Sequence, residues 1–246
     1  MSHKPPIGEV AGKKQEVESM FDAIAPRYDL LNRVLSLGID VRWRKQAVKM
    51  AGAALDRPPR RVLDVATGTA DLAVEALKLG PREVIGVDIA EEMLEVGRGK
   101  LRERRLDHRV TLQRGDAENL AFEDGAFDLA LVAFGVRNFE DLGAGLRELC
   151  RVLRPGGALV VLEFSRPRAF PMKQLYGFYS SQVLPRVGRA VSGDSGAYAY
   201  LPESIQAFPD GDDFLRAMAE AGFDGLREQR LTFGVASLYG GVVPHP

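Results

Sequence analysis

A chain of 246 residues, 46% of them hydrophobic, has enough apolar mass for one large α/β domain or two small ones, which excludes disorder throughout. Thirty-three basic against thirty-four acidic residues leave a net charge of -1, so no overall field points to nucleic acid. One cysteine, Cys150, excludes an internal disulfide and a cysteine zinc cluster, and the three histidines, His3, His108 and His245, do not suggest a metal site.

The first residues, MSHKPPIGEVAGKK, carry charge but no apolar centre, so residues 1–14 read as a flexible arm and not as a secretory signal. No apolar run approaches the roughly 18 residues needed to cross a bilayer. The expectation is a cytoplasmic protein, at most peripheral to the inner face of a membrane. The rest, 15–246, reads as a single domain whose residues 15–50 form a cap of amphipathic helices. There Val17, Met20, Phe21 and Ile24 recur at helical spacing and Pro26 breaks the pattern.

From Arg61 onward, short β-like runs alternate with helices. RRVLDVA precedes a helix near 70–79, EVIGVDI one near 91–105, and after RVTLQRG, FDLALVAF precedes one near 139–153, before GGALVVLEF. Five strands joined by helical crossovers predict a doubly wound, mostly parallel α/β sheet of Rossmann type, covered on both faces. Phe139, Leu142, Leu146, Leu149 and Val152 form one stripe on the fourth crossover, where Cys150 reads as a small buried hydrophobe. Residues 166–209 then interrupt the alternation with five prolines, an insertion long enough to be a lid. A last helix, DDFLRAMAEAG, and the runs LREQRLTF and GVASLYGGVV bring the sheet to seven strands.

In such a sheet ligands bind beyond the carboxyl ends of the strands, where strand order reverses. The first strand runs into DVATGTAD, where Gly68 permits a tight turn and close approach of a ligand. Ala70 and Ala73 stand where a dinucleotide fingerprint needs glycine, which argues against NAD. About 20 residues beyond Gly68, Asp88 ends the second strand, suited to accept from two ribose hydroxyls. Asp116 ends the third, suited to an adenine amine. With Asp64 these make three acids at successive strand ends, a pattern that standard turn-forming aspartates do not readily produce. The set DVATGTAD, VDIA and RGDAEN resembles the S-adenosylmethionine site of class I methyltransferases.

The fourth strand ends in AFGVRN, beside the first. Asn138 reads either as the cap of the helix that follows, with Asp141 in its first turn, or as a site residue. Arg137 reads either as a surface ion-pair partner or as a fixed cation beside a ligand. His108 opens the third strand at the edge away from the ligand and is set aside. In the insertion, Tyr176, Tyr179, Tyr198 and Tyr200 lie with Phe170, Phe178 and Phe208 among Arg166, Arg168, Lys173, Arg186 and Arg189. That mixture suits a prenyl tail and an anionic membrane surface; the competing reading is a lid packed on its own domain.

YDLLNRVLSLGIDVRW from Tyr28, FGVRN, RVLRPGGALVVLEFS from Arg151, LPRVG and YAYLPESI are similar to segments of the ubiquinone/menaquinone biosynthesis C-methyltransferases, the UbiE/MenG family, over about residues 15 to 242. Asp40 stands where many members have histidine, Arg154 replaces a common lysine, and Ala133 replaces a serine that contacts the cofactor in some members. The resemblance implies S-adenosylmethionine as cofactor, with Thr69, Asp88, Asp116 and Ala117 contacting it and Arg137 and Asn138 near the substrate ring. It implies methyl transfer to a ring carbon of a polyprenylated quinol, demethylmenaquinol first and the benzoquinol precursor of ubiquinone as the alternative. Methylation of another small aromatic, or a non-catalytic lipid carrier that binds S-adenosylmethionine, are further readings, and no oligomeric state is assigned.

A sulfonium methyl is already activated, so alignment and proton removal are what the enzyme adds, and alignment alone can contribute on the order of 7–11 kcal/mol. Arg137 is no base, since its pKa exceeds about 12. As a fixed cation it stabilises a developing phenolate or orients a water that takes the proton. Tyr28 and Asp29, from the cap, are candidate ring contacts; a packing aromatic and a helix cap are their alternatives. Tyr176 and Tyr200 are the candidate contacts from the lid.

Overall fold

The computed structural model describes residues 12–178 and 196–245. Seven strands form one sheet: β1 (Arg61–Val65), β2 (Glu83–Asp88), β3 (Val110–Arg114), β4 (Phe127–Ala133), β5 (Leu153–Phe164), β6 (Asp224–Leu231) and β7 (Ala236–Val242). Their order is β3-β2-β1-β4-β5-β7-β6, so the chain reverses its direction of travel across the sheet between β1 and β4. Neighbours from β3 to β5 pair in parallel, while β7 runs antiparallel to both β5 and β6. The helices are α1 (Lys13–Ile24), α2 (Tyr28–Leu35), α3 (Ile39–Ala54), α4 (Asp71–Ala76), α5 (Glu91–Glu103), α6 (Leu142–Val152), α7 (Met172–Phe178), α8 (Gly196–Ala207) and α9 (Asp212–Glu220).

The period-2 alternation of the strands sorts their side chains into two cores. Val62, Val84, Leu129, Leu131, Val160 and Leu162 face α3, α4 and α5, packing with Trp43, Leu72 and Leu94. Leu63, Val65, Ala130, Val132, Leu159 and Val161 face α6 and α9, packing with Leu146, Leu149, Phe214 and Met218. Burial on both faces explains why β4 and β5 read as continuous apolar runs. Cys150 is half-buried against the second core, as a small hydrophobe would be.

Three expectations change. α1 begins at Lys13, inside the stretch expected to be loose. The fourth crossover helix starts at Leu142, and its cap is Asp141, whose carboxylate accepts from the Ala144 N–H at 2.9 Å. Asn138 closes a separate 3-10 turn, Val136–Asn138, and caps nothing; Phe139 behind it is extended, which breaks the helix from AFGVRN. Part of the insertion is core: Phe208 is buried and its ring lies 5.0 Å from Phe214. LPRVG, with Arg186, and also Tyr179 and Arg189 lie outside the described residues, as do the side chains of Phe178 and Tyr198.

Candidate active site

At the carboxyl ends of β1 and β4 the backbone turns sharply. Ala66, Gly68, Ala70 and Phe134 all adopt positive φ, three of them without the freedom of glycine, and such strain gathers where a fold is shaped around a ligand. Gly135 lets the β4 turn meet the β1 turn: a Cβ there would lie 2.4 Å from that of Ala66. Gly68 and Gly135 both line a narrow cleft of about 80 Å³, with Asp88, Asp116, Ala117, Ala133 and Asn138.

Asp88 is tied into this cleft by two backbone groups. Its Oδ2 accepts from the Gly68 N–H at 2.7 Å and its Oδ1 from the Ala90 N–H at 3.0 Å. Each oxygen keeps a second lone pair, the arrangement two vicinal hydroxyls require. Asp116 accepts from the Glu118 N–H at 2.9 Å and from Lys14 Nζ at 2.7 Å. Lys14 belongs to α1, which closes over the cleft with Val17 and Phe21. Lys13 fastens the same helix by donating to the Phe139 carbonyl at 2.6 Å.

Two expected cofactor contacts lie elsewhere. Asp64 is fully buried and does not line the cleft; its Oδ2 accepts from the Thr67 hydroxyl at 2.6 Å, and Oδ1 has no partner. Burial pushes its carboxyl up to about 7. Thr69 is also absent from the cleft wall. Its hydroxyl donates to Asp29 Oδ1 at 2.5 Å and accepts from Lys100 Nζ at 3.1 Å. Asp29 lines neither this cleft nor the cavity beyond it: with Lys100 at 2.7 Å it joins α2 to the β1 turn, and Lys100 goes on to Asp71 at 2.6 Å. The polar side chains of DVATGTAD turn inward because the turn must be anchored, leaving backbone and Gly68 to face the ligand.

Beyond the cleft lies a larger cavity of about 320 Å³, lined mostly by apolar side chains, among them Met20, Ile24, Leu37, Trp43, Phe164 and Ile205. Phe21, Tyr28 and Phe134 line both spaces, so the two adjoin along these three rings. Tyr28, Tyr176 and Tyr200, expected near a substrate, all line the larger cavity. The Tyr200 hydroxyl donates to Asn138 Oδ1 at 3.0 Å, which joins α8 to the AFGVRN turn.

Arg137 lines the cavity as well, and it is no surface ion pair. Its Nη1 donates to Glu163 Oε1 at 2.8 Å and to the Phe134 carbonyl, its Cζ stands 5.4 Å from the Phe164 ring centre, and its buried Nε has no partner. Burial pushes the fully buried Glu163 carboxyl up, against the pull of the Arg137 guanidinium. Sequence reasoning passed over Glu163, although a lone acid inside the apolar run GGALVVLEF was a signal. It also passed over Phe134, Phe164 and Trp43, whose rings stand 4.5–6.2 Å apart at the cavity floor. Asp40 and Arg44 form a second buried pair there, 2.6 Å apart.

The site fits S-adenosylmethionine. Two acids at neighbouring strand ends and a glycine turn, all lining one cleft, suit an adenosine. Among the described residues no group of side chains could hold a metal ion. No helix among them is long and apolar enough to cross a membrane.

The profile of the ubiE/COQ5 methyltransferase family matches residues 9–243. A Thermus thermophilus protein called demethylmenaquinone methyltransferase is 50% identical over 226 residues, covering 92% of this chain and 100% of its own. A Geobacter protein called ubiquinone/menaquinone biosynthesis C-methyltransferase UbiE is 48% identical over 231 residues, covering 93% and 97%. The crystal structure of the [4+2]-cyclase SpnF, 19% identical, superposes over 100% of both chains with a TM-score of 0.65, so this fold alone does not fix the chemistry. With the family profile spanning nearly the whole chain and a cleft that fits the cofactor, the protein belongs to the ubiE/COQ5 methyltransferase family and is an S-adenosylmethionine-dependent methyltransferase.

Proposed function

We propose that the protein methylates a ring carbon of a polyprenylated quinol, and that demethylmenaquinol is its substrate. The observation that carries this reading is the buried Arg137 guanidinium, fixed by Glu163 on the wall of an apolar cavity that adjoins the cofactor cleft. The names of the relatives from Thermus thermophilus and Geobacter support the substrate class.

The bound cofactor supplies a methyl group activated on a sulfonium. The chain's part is to hold a flat ring against Phe134 and Phe164 and to make one ring oxygen electron-rich. A quinol hydroxyl that gives its proton to water feeds charge to its ortho carbon, and a permanent cation beside that oxygen lowers the cost of the phenolate; once that carbon carries the methyl, its hydrogen leaves as a proton and the oxygen is reprotonated, so one proton is released to water overall. Arg137 suits this role because it stays charged at any working pH and because Glu163 fixes its direction. Asn138, held by Tyr200, lines the cofactor cleft and meets the edge of the ring from that side. Tyr176 and the apolar cavity wall take the tail.

The test is methyl transfer from labelled cofactor to chemically reduced demethylmenaquinone, with the benzoquinol analogue in parallel. Label in the naphthoquinol ring supports the reading; label in neither compound overturns it.

A further inference from the structure

Five large hydrophobic residues are exposed among the described residues: Leu30, Leu37, Phe170, Leu175 and Phe233. Leu37 and Leu175 line the larger cavity. Phe170 stands two residues before Met172, and Phe233 lies between Thr232 and Val235, all three of which line it too. Three segments remote in sequence thus each turn a large apolar side chain outward around one cavity: the α2–α3 turn, the start of α7 and the β6–β7 turn.

Two of these side chains sit where the backbone disfavours them. Leu37 has φ +52°, and Thr232 and Phe233 have φ +46° and +57°. Left-handed turn positions favour glycine, asparagine or aspartate, and a bulky or β-branched residue there is strained. The β6–β7 turn is also held in place, since Trp43 Nε1 donates to Thr232 Oγ1 at 2.9 Å. Phe233 is 80% exposed, so it recovers nothing from its own fold for that strain.

The segments that carry these side chains hold cations in excess, the nearby Asp40 on the cavity wall being paired with Arg44. Residues 30–39, 166–176 and 229–235 contain Arg33, Arg166, Arg168, Lys173 and Arg230 and no acid. Arg166 and Arg168 are tied to Asp210 and Arg230 to Glu228, while Arg33 and Lys173 are exposed. A second copy of the chain would bring like charges together. An anionic lipid surface matches both the apolar tips and the cations.

We propose that Leu37, Phe170, Leu175 and Phe233 form a bilayer-docking face around the cavity mouth, inserted among anionic headgroups so that a lipid-borne substrate reaches the cavity without crossing water. The proposal rests on the reading of the cavity as the site for a prenylated substrate, and the experiment separates the two. The full chain is floated with vesicles of phosphatidylcholine, with and without phosphatidylglycerol, beside F233N and F170S, neither of which touches the cavity wall. Wild type floats with the phosphatidylglycerol vesicles, and each variant loses at least about tenfold of that binding, the scale set by removing one inserted aromatic side chain. F233N also melts no lower than wild type, because asparagine tolerates the left-handed backbone, and it methylates detergent-dispersed quinol at the wild-type rate. Wild type that floats with neither vesicle, or F233N that floats as wild type does, overturns the docking face. So does a dimer that F233N converts to monomer. Wild type that floats but methylates no quinol supports the face and overturns the substrate reading alone.

Discussion

Arg137 Nη1 and Glu163 Oε1 lie 2.8 Å apart, with the arginine side chain 7% exposed and the glutamate not exposed at all. A buried pair of this kind holds a direction more than it adds stability, because the desolvation of two charges offsets most of their attraction. Arg137→Lys puts a compact ammonium on a shorter reach in place of the planar guanidinium whose Nη1 meets Glu163 and the Phe134 carbonyl and whose plane stands by the Phe164 ring. It is expected to keep cofactor affinity and to lose turnover by about 100-fold or more, the scale of a lost donor to a developing oxyanion. Glu163→Gln leaves the cation without its counter-charge and is expected to lower stability by roughly 3 kcal/mol and to lower kcat more than it raises KM. Replacing both, R137M/E163L, is expected to melt within a few degrees of wild type while remaining inactive. Steady-state kinetics and thermal melts check the three variants together.

Asp64 gives a pH dependence whose sign is fixed. Its carboxyl is pushed up to about 7 by burial, against roughly 3.9 in an unfolded chain. The folded state therefore binds the extra proton between these values. The stability this contributes is complete below about pH 4 and is lost as pH rises through about 7. Asp64→Asn removes the penalty of a buried charge, so it is expected to stabilise the protein at pH 8 by an amount on the order of 4 kcal/mol at most, and not at pH 4. Thermal melts at pH 4 and pH 8, wild type beside the variant, measure it.

Asn138 and Asp141 have separable roles. Removing the α6 cap with Asp141→Ala is expected to cost about 1 kcal/mol in stability and nothing in kcat. Asn138→Ala leaves the helix intact but breaks the Tyr200 contact, so KM for the quinol should rise, and Tyr200→Phe should raise it by the same factor. The double variant N138A/Y200F should show no further loss, as expected of two partners in one bond.

Gly135 has ordinary negative φ, so its requirement is space alone. Gly135→Ala brings a Cβ to 2.4 Å from Ala66 and is expected to destabilise by about 1–3 kcal/mol while widening the cleft and weakening cofactor binding. Denaturant melts and cofactor titration read the two effects separately.

The fold was legible because its strands are short, buried on both faces and punctuated by helical stripes, and the resulting topology leaves one edge for a ligand. Asp88, Asp116 and Gly68 stood out because strand ends at that edge carry few other jobs. The placement of Asp64, Thr69 and Asp29 off the cleft wall was not legible for a physical reason: a strained turn needs polar anchors of its own, and a sequence does not say whether a hydroxyl turns toward a ligand or toward Lys100 and Asp29. Asn138 misled because Asp141, three residues on, competes for the same cap. Glu163 lies 26 residues from Arg137, and their pairing depends on β5 lying beside β4, which only the sheet order supplies.

The central claim is that this cavity positions a reduced quinol ring against Arg137 for methyl transfer. Labelled S-adenosylmethionine is incubated with reduced and with oxidised demethylmenaquinone, using wild type and Arg137→Lys side by side. Label is expected in the ring of the reduced compound with wild type, none in the oxidised compound, and nearly none with the variant. Equal labelling by wild type and variant, or no labelling of the reduced compound by either, contradicts it.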